Sequence, residues 1–226
     1  MERNIVLNIP HASRAIPVNT WQGDIQKYVD IWTDAHTDVL FSADTESHVF
    51  KAVFPYSRFF CDVNRLVDDP LNHQGQGIFY TRFDECTRPE DEELIHRCYA
   101  IRQAWLDFLS TLLQPGSILL DCHSFSTFVA PDVDICIGFN DDWSKPSDHQ
   151  LQTVIQYFQS CGYRVGVNHP YSNAITPKPS RDYCSIMIGV NKALYLRPNG
   201  TLRPDAYKFH SKLLTLYKTL LHTQSL

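Results

Sequence analysis

Short apolar runs that alternate with longer helical patterns constrain the fold of this chain more than any other feature. Helical patterns lie at about 24–43, 90–113, 147–160 and 204–221. Six runs rich in Ile, Val and Leu have the length of buried strands, at 5–9 (IVLNI), 49–54 (VFKAVF), 117–123 (SILLDCH), 134–139 (DICIGF), 163–167 (YRVGV) and 185–190 (SIMIGV). The alternation predicts an α/β fold in which helices cover a mixed or parallel sheet.

Length, charge and cysteine usage exclude several classes of protein. With 226 residues, the chain is expected to form a single domain over 1–226. The net charge is −5 and Lys and Arg form no long run, so nucleic acid is not an expected partner. The sequence has no secretory leader pattern and no run approaching 18 apolar residues, so we expect no membrane association. The seven cysteines include no CxxC pair, which favours reduced thiols and a cytoplasmic location.

Two histidines follow or end predicted strands, where ligands of α/β sheets gather. His11 comes directly after the first strand, and His123 ends the strand SILLDCH. Catalytic zinc takes three protein ligands from His, Asp and Glu, so a carboxylate should complete the set. Asp34 and Asp38 are four residues apart on the predicted helix 24–43 and would share one face; we prefer Asp34. The alternative is that the histidines are hydrogen-bonded core residues and the aspartates a solvated helix face.

The segment SRFFCDVNR carries a candidate carboxylate clamp. Arg58, Asn64 and Arg65 are close in sequence, and an arginine fork binds carboxylates with two parallel hydrogen bonds. The alternative is an internal ion pair of Arg58 or Arg65 with Asp62. Residues 68–93 form the longest stretch without clear periodicity, so we expect an extended active-site loop or a surface excursion there, and a lid over the site would lie in the same stretch.

A glycine lies in the middle of the apolar stretch SIMIGVNKALYL. Glycine weakens a strand interior, so Gly189 predicts a bulge or a close approach of another backbone, or else a functional requirement. The chain has no GxSxG, GxxxxGK[ST], GxGxxG or HExxH motif. Cys122 is flanked by strand apolars, which is typical of inert packing rather than of a nucleophile.

Eight stretches together resemble the N-formylglutamate amidohydrolase family, and they occur in family order across nearly the whole chain. They are NIPHAS, TDAHTDVLF, SRFFCDVNR, GQGIFY, LLDCHSF, PDVDICIGF, GYRVGVNHPYS and SIMIGVNKALYL. The family looks like a distant relative of the zinc carboxypeptidases. The resemblance therefore implies a three-layer α/β/α fold with a mixed, mostly parallel central sheet, similar to the phosphorylase/hydrolase-like fold.

The resemblance also implies a metal, a reaction and roles for single residues. It implies one zinc ion, held by His11, His123 and an acidic residue of TDAHTD. Asn64 and Arg65 look like the asparagine and arginine with which zinc carboxypeptidases hold a terminal carboxylate, and Arg58 looks like their second arginine. The implied reaction hydrolyses N-formyl-L-glutamate, or a related N-acyl amino acid, to the free amino acid and formate or another carboxylic acid.

Gly189 is where the chain departs from the family. There the strand usually reads SIMIEVN, and its glutamate is equivalent to the general base. Such a base contributes about 10²–10⁴-fold to the rate, so its loss predicts slow hydrolysis. Asp38 or Asp121 is the expected substitute, although Asp121 fits better as the partner that orients a histidine ligand. The alternative function is a metal- and carboxylate-binding protein that has lost catalysis.

Overall fold

The apolar runs form a central sheet of six strands in the computed structural model, which describes residues 3–43, 46–172, 174–177 and 182–222. Its strands are β1 (Ile5–Ile9), β2 (Val49–Val53), β5 (Ser117–Phe125), β6 (Ile135–Gly138), β7 (Val165–Val167) and β8 (Tyr183–Asn191), and the short strands β3 (Arg82–Phe83) and β4 (Cys86–Thr87) form a separate hairpin. Most positions of β1, β5, β6 and β8 are buried, which suits their Ile, Val and Leu content.

The order of the strands is β2-β1-β5-β8-β6-β7. Strands β2, β1, β5 and β8 run parallel, whereas β6 is antiparallel to β8 and β7 is parallel to β6. The predicted mixed, mostly parallel sheet is therefore confirmed. The carboxyl ends of β1, β5 and β8 lie at one edge of the sheet, and His123 on β5 is in register with Gly189 on β8.

Helices cover both faces of the sheet. Helix α3 (Glu92–Leu112) packs on one face against residues such as Val6 and Leu119, while α4 (Asp148–Ser160) and α5 (Ala206–His222) pack on the other. Asp91 caps α3 by accepting from Leu94 N, and α4 begins with a capping box. The three-layer α/β/α architecture is confirmed. None of the helices in the described part of the chain is long and apolar enough to cross a bilayer.

The prediction of one helix over 24–43 is wrong. The segment forms α1 (Ile25–Trp32) and a short α2 (Thr37–Leu40), separated by a turn in which His36 takes a left-handed φ of 62°. The turn forms because the N–H of Asp34 donates to the carbonyl of His11 at 2.9 Å instead of continuing the helix. Asp34 and Asp38 therefore do not share a helix face. The other predicted helices and strands agree with the observed ones to within two residues at each end.

The stretch 68–93 is packed rather than free. It contains a 3₁₀ turn (Pro70–Gln74) and the β3–β4 hairpin, and its residues Ile78, Tyr80, Cys86 and Arg88 are buried. Arg88 donates to the carbonyls of Phe59 and Phe60 and holds the stretch against the segment that follows β2. This packing argues against a lid over the whole stretch, although part of it lines the cavity described below.

Candidate metal centre and active site

A cavity of about 460 Å³ opens at the carboxyl ends of β1, β5 and β8. Its size lies within the range of about 300–1,000 Å³ that is usual for small-molecule sites. Three of its lining residues, His11, Asp34 and His123, are named the triad below. Its location is the one at which open α/β sheets bind ligands.

The triad brings one ligand atom from each residue within 4.8 Å of the other two. His11 follows β1, His123 lies on β5, and Asp34 lies on the turn between α1 and α2. Asp34 Oδ2 is 3.1 Å from His123 Nδ1 and 3.7 Å from His11 Nδ1. Ligand atoms around a tetrahedral zinc ion are about 3.4 Å apart, given bonds of about 2.1 Å. Two imidazole nitrogens and one carboxylate oxygen are also a donor set of catalytic zinc sites, so the residues fit this ion.

A second carboxylate holds the far nitrogen of each histidine. Asp62 Oδ1 is 2.8 Å from His11 Nε2, and Asp121 Oδ1 is 3.1 Å from His123 Nε2. Asp62 and Asp121 are buried. Because each carboxylate accepts the proton on Nε2, the two Nδ1 atoms are the ones turned toward Asp34. This is the outer arrangement that orients histidine ligands in metal sites.

Positive charge balances the buried carboxylates. Burial alone raises the pKa of Asp34, but hydrogen bonds with His11 and His123 and the charge of Arg58 hold that pKa well below its usual value. Burial lowers the pKa of His123, but Asp121 and Asp34 outweigh it and raise the pKa to about 10. The His123 ring thus lies between two carboxylates, which favour a positive charge at this position.

Four residues that follow β2, namely Arg58, Asp62, Asn64 and Arg65, are named the polar wall. Arg58 donates to His11 Nδ1, and its Nη2 is 3.8 Å from Asp34 Oδ2. Arg65 is 3.4 Å from Asp62 Oδ2 and donates to the hydroxyl of Tyr80 at 2.9 Å. The alternative of an internal ion pair between Arg65 and Asp62 is therefore confirmed. The Nε atoms of both arginines are buried without a partner.

Asn64 connects the polar wall to β5. Its Nδ2 donates to Asp121 Oδ2 at 3.1 Å and lies 3.0 Å from His123 Nε2. Asp121 also accepts from Asn8 at 2.8 Å and from the N–H of Ile175 at 3.0 Å. Both oxygens of Asp121 are therefore occupied, which suits an orienting role better than proton transfer.

The side of the cavity toward β8 is mainly apolar, although Ser126 and Ser172 also line the cavity. Phe125, Val129, Tyr171, Met187 and Gly189 line it and are named the apolar wall. Phe125 and Met187 are each 3% exposed, and Tyr171 packs edge-on against Phe125 with ring centroids 6.5 Å apart. The polar wall contacts His11 and His123, whereas Met187 and Gly189 lie on β8 beside β6. The triad therefore lies between a charged side and an apolar side.

A comparison of the sequence with known families shows which family has these features. The sequence profile of the N-formylglutamate amidohydrolase family matches residues 3–196. The chain belongs to the N-formylglutamate amidohydrolase family. The matched range includes the triad and both walls, and it confirms the resemblance seen in the eight stretches. No curated protein sequence matches the chain significantly.

Solved structures share the fold of this N-formylglutamate amidohydrolase family member. The crystal structure of N-formylglutamate amidohydrolase from Ralstonia eutropha JMP134 superposes with a TM-score of 0.78 at 16% identity, and the match covers 97% of this chain and 93% of that one. A gene product of Agrobacterium tumefaciens superposes with a TM-score of 0.68 at 16% identity over 96% and 92% of the two chains. These likenesses show that the fold extends over nearly the whole length of both relatives.

The structure separates the two aspartates and removes Cys122 from the site. Asp34 lines the cavity, whereas Asp38 lies on α2 and is not among the lining residues. Cys122 packs in the core on the opposite face of β5 from His123, and burial raises the pKa of its thiol well above the usual value. Neither side chain is placed for a part in chemistry at the triad.

Gly189 forms no bulge, and the atoms nearest to a Cβ built there are side-chain atoms rather than another backbone, so the expectation of a bulge or a close backbone approach is wrong. The ladder between β5 and β8 runs in unbroken register through Gly189, which also pairs with Cys136 on β6. Gly189 points to the same face as His123, because paired residues of neighbouring strands share a face. It lines the cavity beside the triad.

Sequence reasoning missed several residues of the site. Lys192 lines the cavity and donates to the carbonyls of Ile31 and Thr33, both at 2.7 Å, which anchors the turn that carries Asp34. Ser124 donates to Asp34 Oδ1 at 3.1 Å. A serine next to a strand-end histidine and a lysine after a strand are too common to single out by pattern. The sequence suggests Asp62 only as an ion-pair partner of an arginine, whereas in the structure it orients His11.

Proposed function

We propose that this chain is a zinc-dependent amidohydrolase that cleaves the N-acyl amide of an acidic amino acid. N-formyl-L-glutamate, which would give glutamate and formate, is the substrate in the name of the family. The proposal also includes related N-acyl amino acids as substrates. Membership of the family supports hydrolysis of an amide bond. The observation that carries the zinc site is the triad, whose Nδ1 atoms face Asp34 because Asp62 and Asp121 hold the opposite nitrogens.

In this proposal His11, Asp34 and His123 hold the ion. Zinc lowers the pKa of water toward about 7 and polarises a carbonyl group. Asp62 and Asp121 keep the two imidazoles in the tautomer in which Nδ1 carries no proton. Asn64 and Asn8 hold Asp121 in place. We assign Asp38 no part, since it lies outside the cavity lining.

The polar wall would bind the carboxylates of the substrate. Arg58 donates to His11 Nδ1, and the lone pair of that nitrogen cannot serve both Arg58 and an ion. If His11 Nδ1 held an ion, the Arg58 guanidinium would lose this acceptor and be available to a substrate carboxylate. Arg58 lines the cavity, and its Nε is buried without a partner. Arg65 is held by Asp62, Asp69 and Tyr80, so it contributes a fixed positive charge. Two guanidinium groups suit the two carboxylates of an N-acyl-glutamate.

Position 189 carries no base in this chain, and the occupied Asp121 does not replace it. We therefore propose that hydrolysis is slower than in a protein with a base at this position, by about 10²–10⁴-fold. A small molecule is the proposed partner, and no nucleic acid or membrane is part of the proposal. All seven cysteines lie in the described residues and are free thiols, which supports a cytoplasmic location.

The test combines metal analysis with product release. The protein is loaded with zinc, its zinc content is measured, and formate release from N-formyl-L-glutamate is followed. We expect about one zinc per chain, and we expect His123→Ala to lose both zinc and turnover. The control is His149→Ala, an exposed histidine on α4, which should change neither. Retention of stoichiometric zinc by His123→Ala would contradict the ligand assignment, and a zinc-loaded protein that hydrolyses no N-acyl amino acid would contradict the enzyme.

A further inference from the structure

The backbone does not require a glycine at position 189. The residue lies in a regular strand that pairs on both sides, with His123 and with Cys136. A Cβ built on Gly189 would lie 3.4 Å from Cys136 Cβ and from Phe125 Cδ1, and 3.5 Å from Met187 Sδ. These are ordinary van der Waals distances, so an alanine would fit with little adjustment. The reason for a glycine at this position must therefore lie in the space that a longer side chain would occupy.

A longer side chain at position 189 would enter the cavity. Gly189 shares its face with His123 and lines the cavity, whereas its neighbours Ile188 and Val190 pack in the core on the opposite face. Any atoms beyond Cβ would occupy the space between Phe125, Met187 and the triad. The glycine therefore keeps this space open next to His123.

The open space is lined by apolar groups. Phe125 and Met187 belong to a buried cluster with Val133 and Cys136, and Val129 packs against that cluster. Tyr171 closes the outer side: its ring lies edge-on against Phe125, and its carbonyl accepts from Cys136 Sγ at 3.2 Å. Phe125 and Met187 are each 3% exposed, so the apolar surface that a ligand group could still cover belongs mainly to Val129 and Tyr171. Covering that surface with an apolar ligand group gains free energy.

The positions of the two walls decide which part of a substrate would cover the apolar one. The carboxylates of an acidic amino acid need the cations of the polar wall, and the amide carbonyl must lie at the triad. The remaining substituent of the amide carbon, which is the acyl chain, then extends away from Arg58 and Arg65 and toward Gly189. A formyl group has no chain and would leave the apolar wall uncovered.

We propose that the apolar wall is an acyl-binding subsite and that the preferred substrates are N-acyl derivatives of an acidic amino acid with an aromatic or extended apolar acyl group. This inference rests on the proposed amidohydrolase function and specifies its substrate class. In the reaction the acyl carbon–nitrogen bond breaks, the oxygen of water joins the acyl carbon, and the amino group gains a proton. The products are the free amino acid and an apolar carboxylic acid.

The test measures binding separately from turnover. The ligands are N-benzyl-L-glutamate and N-methyl-L-glutamate, which lack an amide carbonyl and cannot be hydrolysed; both are titrated calorimetrically into zinc-loaded protein. Burial of the phenyl ring is expected to make the benzyl compound bind about tenfold more tightly or better. In parallel, kcat/KM is measured for N-benzoyl-L-glutamate and N-formyl-L-glutamate, with the same expected direction.

Two variants fill the subsite from different sides. Gly189→Leu places a side chain on the strand, and Val129→Phe fills the space from the loop after β5, so a folding defect in one does not decide the test. Both should reduce the benzyl-to-methyl preference to about twofold or less. Ile188→Leu is the matched control on the same strand, because its side chain packs on the opposite face. It should keep the preference.

The outcomes separate this inference from the proposed function. A benzyl preference that both filling variants abolish supports the subsite. Equal binding of the two ligands, or a preference that survives both variants, overturns it even if N-formyl-L-glutamate is hydrolysed. The protein could also show a benzyl preference that depends on Gly189 and yet hydrolyse no N-acyl-glutamate. That result would support the subsite and overturn the proposed amidohydrolase function.

Discussion

The polar wall and the apolar wall lie on opposite sides of the same triad and are built by different means. The polar wall comes from one segment after β2, and its charged groups contact each other directly, as Arg65 Nη2 and Asp62 Oδ2 do at 3.4 Å. The apolar wall comes from β5, β8 and two loops, and its members are far apart in sequence. The first wall can recognise charge, while the second can recognise only shape and apolar surface. Variants that affect one wall at a time can test whether the two sides act independently.

The largest expected effect comes from replacing the glycine of the apolar wall. Gly189→Glu should raise the rate of N-formyl-L-glutamate hydrolysis by about 10²-fold or more, because it places a carboxylate beside His123. The measurement is formate release by the zinc-loaded variant. Gly189→Gln has nearly the same shape and no charge, so it should give no gain. An equal gain in both variants would show that filled space, and not a base, limits the natural chain.

The second-largest expected effect is on zinc affinity. Asp62→Asn removes the charge that orients His11 Nε2, and zinc affinity should fall by about 10–100-fold. The measurement is competition with a chelator of known affinity. Asp134→Asn removes a carboxylate that pairs with Arg164, away from the cavity, and should leave zinc affinity unchanged. Equal zinc affinity in Asp62→Asn and the natural protein would argue against an orienting role for Asp62.

A smaller effect is expected from the polar wall itself. Arg58→Ala should raise KM for N-acyl-L-glutamates roughly tenfold, since a hydrogen bond to a charged group is lost. The control is Arg197→Ala, an exposed arginine that does not line the cavity. If the walls act independently, Arg58→Ala should not change the benzyl-to-methyl binding ratio. A change in that ratio would contradict the separation of the two sides.

The smallest effect concerns stability. The hydrogen bond from the Arg164 guanidinium is the largest cause of the lowered pKa of Asp134 in the folded state, so this ion pair stabilises the fold at pH 7. The contribution is fully present above the unfolded pKa of about 4 and is lost as the pH falls through the lowered folded pKa. The free energy of unfolding of Asp134→Asn should therefore be about 1 kcal/mol or less below that of the natural protein at pH 7. Denaturant titrations at pH 7 and near pH 3 should show that this difference shrinks in acid.

Local pattern was sufficient for most secondary structure and for two members of the triad. The strands follow from runs of Ile, Val and Leu, and His11 and His123 stand out because they come at the ends of two of those runs. The helix over 24–43 could not be divided by pattern, since its apolar spacing continues through the turn. The turn depends on a backbone hydrogen bond from Asp34 to His11, residues that are far apart in the predicted elements.

The sequence by itself determined the fold class and the family, because ordered stretches along the chain resemble known ones. It also determined that His11 and His123 belong to the site and that a charged segment follows β2, because each of these features is encoded by residues close together in the chain. Only the tertiary structure decided that Asp34 and not Asp38 faces the histidines, that Asp62 and Asp121 hold their far nitrogens, and that Gly189 opens an apolar space beside His123. Those relations join strands and loops that are distant in sequence, so they depend on the order and register of the strands, which the spacing of residues along the chain does not contain.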